Sequence, residues 1–200
     1  MKSGLRATKI RPEKAVLVYS LNLLNNKRAF WLLQIPAIVC FFLFGVMFLW
    51  WTIWLRPGLL MTISAGIHVT LMGLLFLIIG LGVSILLHEL IHGAFFWMYS
   101  LSRPKFGLRG GYAYAAAPGW FYPRGQYLVI ALAPFVLLSI LGMVIVAFAP
   151  VGALAAILVG MVANVAGAVG DIWIAGMLIR ERRNIVVEDL GDGVNFYALS

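Results

Sequence analysis

Charge is scarce in this sequence. Only 11% of its 200 residues are Asp, Glu, Lys or Arg, while 63% are hydrophobic, and the mean hydropathy is +1.00. Soluble domains are about half apolar and about a quarter charged, so the composition excludes one and describes an integral membrane protein. Cysteine is almost missing. Cys40 stands alone in an apolar run, which excludes an intramolecular disulfide and reads as a small buried hydrophobe. Acids are few as well, seven against fifteen Lys and Arg, for a formal net charge of +8. That surplus would suit nucleic acid, but its distribution follows membrane topology and nucleic acid is excluded as a partner. Histidine occurs three times, as His68, His88 and His92. A b-type haem needs histidines on facing helices, and lipid-hydroxylating di-iron centres need many more, so both are excluded. Only one aspartate, Asp171, lies inside an apolar run, which excludes chemistry built on a pair of membrane aspartates. There is no serine-centred nucleophile motif, internal repeat or low-complexity segment.

Long hydrophobic runs are plentiful. Residues 1–28 form a basic segment that carries Lys2, Arg6, Lys9, Arg11, Lys14, Lys27 and Arg28 against one acid, Glu13. The apolar run begins only at Ala29, too late for a signal peptide. Within the segment, "AVLVYSLNLLN" reads as an amphipathic or interfacial stretch. Residues 29–55 hold no charge and exceed the roughly 20 residues a membrane helix needs. They end in Trp50, Trp51 and Trp54, an interfacial aromatic belt, before the "RPG" turn. A second helix is expected at about 64–99, a loop at 103–124, a third span at about 127–149 and a fourth at about 153–178. The expected fold is therefore an all-α membrane domain of four transmembrane helices over residues 29–183. The tail, 184–200, is short and acidic and reads as irregular.

Four spans place both termini on one side. Seven cations of the N-terminal segment, four of the 103–124 loop and three at the C-terminal end then share that side, and Arg56 alone faces the other. The positive-inside rule makes the cation-rich side, with both termini, cytoplasmic. The short cytoplasmic tails point to a prokaryotic plasma membrane.

Within the second run, "SILLHELIHGAFF" places His88, Glu89 and His92 in an H-E-x-x-H pattern. Helical residues i and i+4 lie about 6 Å apart along the axis on one face, so both imidazoles can reach one metal ion. A glutamate beside the first histidine can hold a metal-bound water and act as its general base. Each ionisable group in a membrane helix costs on the order of 3 kcal/mol near the centre, so three together argue for a function over a solvated, inert helix end. A catalytic zinc takes three protein ligands and a water. Asp171, in "NVAGAVGDIWIAGMLIR", is the expected third, since it shares with His88 the cytoplasmic part of the membrane. Glu181 and Glu188 are the alternatives. Asn164 lies two helical turns before Asp171 and can serve a developing oxyanion or the substrate backbone, or else a helix–helix hydrogen bond. His68 lies 20 residues before His88, about 30 Å along a helix, and belongs to the outer face as an interfacial residue.

H-E-x-x-H inside a membrane helix, with an Asp preceded by an Asn on a later helix, resembles the site-2 type of intramembrane metalloprotease. In closer detail the chain is similar to the small family of four-span membrane proteins called putative zincin peptidases, with "HELIHG" ending the second span and "N…GD" in the last. The likeness covers about Phe30 to Arg183. It implies Zn2+ bound by His88, His92 and Asp171, Glu89 as base, and Asn164 assisting substrate or transition state. The site-2 pattern has Asn, then Pro, then Leu-Asp-Gly; here Gly167 stands in the proline position, Gly170 precedes the aspartate and Ile172 follows it. Members of the site-2 type carry a reentrant hairpin that can pair with an extended substrate. "GGYAYAAAP" in the 103–124 loop suits such a short β-hairpin, or else a plain interfacial loop.

The expected activity is zinc-dependent endopeptidase cleavage of a membrane-embedded or membrane-adjacent protein or peptide near the cytoplasmic face of the lipid bilayer. The alternative is a catalytically inactive metal-binding scaffold or regulator, against which Glu89 speaks because a structural site has no use for a base. A transporter or metal carrier is the third reading, and four spans with one buried acid make a poor pathway unless the chain oligomerises.

Overall fold

In the computed structural model, residues 6–22, 27–59, 71–109, 112–191 and 193–199 are described. The elements run β1 (Ala15–Asn22), α1 (Lys27–Leu55), α2 (Leu71–Ser100), β2 (Lys105–Arg109), β3 (Tyr112–Ala116), β4 (Phe121–Pro123), α3 (Arg124–Phe148), α4 (Val151–Gly167), α5 (Val169–Arg180), β5 (Ile185–Asp189) and β6 (Gly193–Leu199). Among the described residues, four helical stretches are long and apolar enough to cross a membrane: Trp31–Leu55, Gly73–Ser100, Arg124–Phe148 and Val151–Arg180. Their exposed side chains include Trp31, Phe42, Val46, Ile78 and Ile140, which water would not tolerate in such number and lipid favours.

The fold is mostly helical but not all-α, and two readings of the sequence need correction. The tail is not irregular: "IVVED" and "GVNFYAL" form an antiparallel pair, β5 and β6. The stretch read as amphipathic or interfacial, "AVLVYSLN", is strand β1 and pairs antiparallel with β6. With β4 they make a four-stranded sheet of order β1-β6-β5-β4. The acids of the tail masked its β-branched and aromatic residues, which bury Ile185, Val186, Val187, Val194 and Phe196. The 103–124 loop does contain a two-stranded hairpin, β2–β3, with Gly107 opposite Tyr114. His68 lies outside the described residues.

The chain divides into two compact units whose borders run through continuous helices. The borders at Gln34/Ile35 and Ala133/Pro134 lie beside prolines inside helices, Pro36 of α1 and Pro134 of α3, and each proline removes one backbone hydrogen bond.

One unit holds Ile35–His88 and Pro134–Val169. Phe48, Val146, Leu154, Met161, Val162 and Val165 form its buried core. Arg56 donates to the carbonyls of Ala149 at 2.5 Å and Val146 at 3.5 Å, which the end of α3 leaves without helical partners. Here α2 and α4 run parallel in close contact. A Cβ on Gly80 would stand 2.5 Å from the backbone oxygen of Ala156. One turn on, Ser84 donates its hydroxyl to the carbonyl of Gly160 at 2.7 Å.

The other unit holds Met1–Gln34, Glu89–Ala133 and Gly170–Ser200. Its core joins sheet to helices through Phe96, Tyr122, Tyr127, Ile130, Leu178, Val187 and Phe196. Thr8 pairs with Phe121 on the outer side of β4 through two backbone hydrogen bonds.

Candidate metal centre

Helix α2 runs unbroken from Leu71 to Ser100, so His88 and His92 sit one turn apart on the same side of it. Both are buried, at 8% exposure each. Asp171 arrives by a different local device. Helix α4 stops at Gly167, the N–H of Ala168 closes on the carbonyl of Asn164 at 3.0 Å, and α5 starts afresh at Val169. This restart places Asp171 in the first turn of a helix, where the N-terminal backbone N–H groups favour a carboxylate. Without it, Asp171 would sit mid-helix with no such support.

Hydrogen bonds decide which histidine nitrogens face the carboxylate. His92 Nδ1 lies 2.9 Å from the carbonyl oxygen of Ile130. A carbonyl only accepts, so Nδ1 carries a proton there, and Nε2 is the nitrogen turned to the carboxylate. That Nε2 stands 3.4 Å from Asp171 Oδ2. His88 Nδ1 lies 2.9 Å from Asn164 Oδ1. The Asn164 amide nitrogen donates to the carbonyl of Phe135 at 3.5 Å, which turns Oδ1 toward His88 and makes Nδ1 the donor there too. In both rings Nδ1 is thus taken up by an oxygen acceptor, and Nε2 is the nitrogen suited to a metal.

The potential ligand atoms of His88, His92 and Asp171 all lie within 4.8 Å of one another, the one such cluster of His, Cys, Asp or Glu among the described residues. Two imidazoles and one carboxylate at this spacing fit a zinc ion, and three protein ligands are the donor set of a catalytic rather than a structural zinc. The histidines' second hydrogen bonds complete the arrangement that metal-binding imidazoles use to hold their tautomer.

Glu89, beside His88, is half-buried within α2. It shares a face with Gly93, one turn on, where a Cβ would come 2.4 Å from the ring of Phe106 in β2. The hairpin therefore packs against the helix face that carries Glu89. The two alternative third ligands are engaged elsewhere. Glu181 binds Arg183 at 2.6 Å, and Glu188 accepts from Tyr197 at 3.0 Å. Asn164, expected at an oxyanion or in a helix contact, has its oxygen on His88 and its nitrogen on Phe135.

Sequence reasoning missed several residues. Ser84, four residues before His88, was legible as a polar residue at helical spacing from the motif. The Ile130 carbonyl leaves no trace in a sequence. Tyr127 and Asp189, joined by a 2.5 Å hydrogen bond, come from positions 62 apart in the chain.

Residues 81–186 match the model of the family described as "Putative zincin peptidase". The match covers more than half of the chain and contains the whole His88, Glu89, His92, Asn164 and Asp171 set. No curated protein and no solved structure matches the chain.

Proposed function

The chain belongs to this family, the putative zincin peptidases, and on that premise we propose that it is a zinc-dependent intramembrane endopeptidase, similar in kind to the site-2 type, that cuts a membrane-embedded or membrane-adjacent peptide near the cytoplasmic face. The observation that carries the reading is the meeting of His88, His92 and Asp171 within 4.8 Å on apolar, span-length helices, with Glu89 beside the first histidine. Bound there, zinc supplies Lewis acidity and brings a water to nucleophilic strength near neutral pH.

The chain's own residues do the rest. Glu89 accepts the proton of the attacking water and returns it to the leaving amine nitrogen as the peptide C–N bond breaks. Asn164 holds the His88 ring in its ligand tautomer, which supports a positioning role over an oxyanion role because its amide is already engaged on both sides. The β2–β3 hairpin, packed on the Glu89 face at Gly93, is the element suited to hold an extended substrate by strand addition. The cytoplasmic placement of both termini rests on the one-sided distribution of Lys and Arg.

Two measurements test the reading together. Detergent-purified parent should hold about one zinc per chain. Glu89→Gln should keep it, and His88→Ala, His92→Ala and Asp171→Ala should lose it. Terminal labelling of membrane fractions should then reveal new peptide N-termini in cells that express the parent and none with Glu89→Gln. Zinc with identical termini in both would sink the peptidase and leave the metal-binding scaffold.

A further inference from the structure

Asp189 is a buried carboxyl that the mechanism above does not use. Its Oδ2 accepts from the Tyr127 hydroxyl at 2.5 Å and its Oδ1 from the backbone N–H of Gly191 at 2.8 Å. Gly191 adopts φ +83°, and the ring of Tyr114 in β3 covers it so closely that a Cβ would come within 2.7 Å. The turn is thus fitted around the carboxyl, and another residue at 191 would be both strained and blocked.

Tyr127 leads from this carboxyl to the metal ligands. It is 4% exposed, lies in the first turn of α3 and packs its ring against Phe96 at 6.5 Å between centroids. Phe96 stands one turn after His92 on α2. Three residues after Tyr127 comes Ile130, whose carbonyl fixes His92 Nδ1. Anchoring Tyr127 at its hydroxyl therefore fixes the helical turn that sets the orientation of the His92 ring.

Electrostatics agrees with this geometry. Burial, first, pushes the Asp189 carboxyl up to about 6, and the charge of Asp171 pushes it the same way. Two carboxyls that feel each other within an apolar cluster are mutually unfavourable unless a cation sits between their fields. A dication held by His92 and Asp171 is such a cation.

We propose that Asp189 and Tyr127 form a positioning pair for the metal centre, in which the carboxylate anchors the phenol, the phenol fixes the turn that orients His92, and the carboxylate's charge adds to the attraction for the bound dication. The proposal rests on the zinc site above and concerns residues that touch neither metal nor substrate. Such outer partners change metal affinity by about 10–100-fold.

The test is Zn2+ affinity of the full chain in detergent at pH 7.5, by competition with a chromophoric chelator, for the parent, Asp189→Asn, Tyr127→Phe and the double variant. Each single variant should bind Zn2+ at least about ten-fold more weakly. The double variant should be no weaker than the worse single, since the two act as one unit. Asp189→Asn should leave the melting temperature of the chelator-stripped protein unchanged or raised, which a purely structural role would not do. Bound Co2+ should show shifted visible bands in both single variants. Affinities within two-fold of the parent, or losses that add in the double variant, overturn the proposal while the zinc site stands. If Asp189→Asn fails to fold, Tyr127→Phe at parental affinity overturns it alone. A parent that binds no zinc overturns both readings.

Discussion

Replacing Gly80 with alanine probes the helix pairing beneath the metal centre. The new Cβ would lie 2.5 Å from the carbonyl oxygen of Ala156, 3.0 Å from its carbon and 3.1 Å from its Cα. Relaxed contacts need about 3.5 Å, so something must retreat by about 1 Å. All three atoms are backbone, so no side chain can swing aside and α4 itself must move. Overpacking of this kind costs about 1–3 kcal/mol, against which the helix gains up to about 1 kcal/mol from losing a glycine. Gly82, on the same helix, has nothing within 4 Å of its would-be Cβ. Gly82→Ala collects the helical gain without the clash, so the difference between the two variants isolates the packing cost at about 1–3 kcal/mol. Chelator-stripped protein in mixed micelles, unfolded with increasing detergent denaturant, reads that difference. The Ser84–Gly160 and His88–Asn164 contacts follow one and two turns along the same pair of helices, so Zn2+ affinity should fall in Gly80→Ala and hold in Gly82→Ala. A Gly80→Ala protein as stable as Gly82→Ala would refute the close α2–α4 approach and the reasoning built on it.

Two further outcomes follow from the site's hydrogen bonds and burial. Asn164→Ala frees the His88 ring and should weaken Zn2+ binding by about 10–100-fold; parental affinity with lost turnover would return Asn164 to the oxyanion role. In metal-stripped protein, Asp189 should make stability fall as pH rises from about 4 to about 6. Its folded value is raised to about 6 from about 3.9 unfolded, so between those values the folded state keeps a proton that the unfolded state has lost. The residue keeps some exposed surface although its carboxyl is enclosed, so the full effect of about 3 kcal/mol is an upper bound. Chemical denaturation across pH 4–7 should show that slope in the parent and not in Asp189→Asn; equal slopes would remove Asp189 as its source.

The sequence alone determined what depends on local chain chemistry. Uninterrupted apolar runs require helices because lipid offers no partner for free backbone groups, and four such stretches are present. The pairing of His88 with His92 follows from helical pitch once that helix is granted. Asp171 could be singled out as the candidate third ligand because it is the one aspartate in a setting that penalises charge. Tertiary structure decided the rest. Strand β1 pairs with β6 from the far end of the chain, and such register comes from long-range partners that a short amphipathic stretch cannot declare. Whether Asn164 faced a substrate or a histidine depended on where α4 lay against α2, in close contact at Gly80. The Ile130 carbonyl and the Tyr127–Asp189 pair entered the site's surroundings only when helix and sheet were packed together. A backbone oxygen carries no sequence signature, and a buried carboxyl is known as buried only once its neighbours are in place.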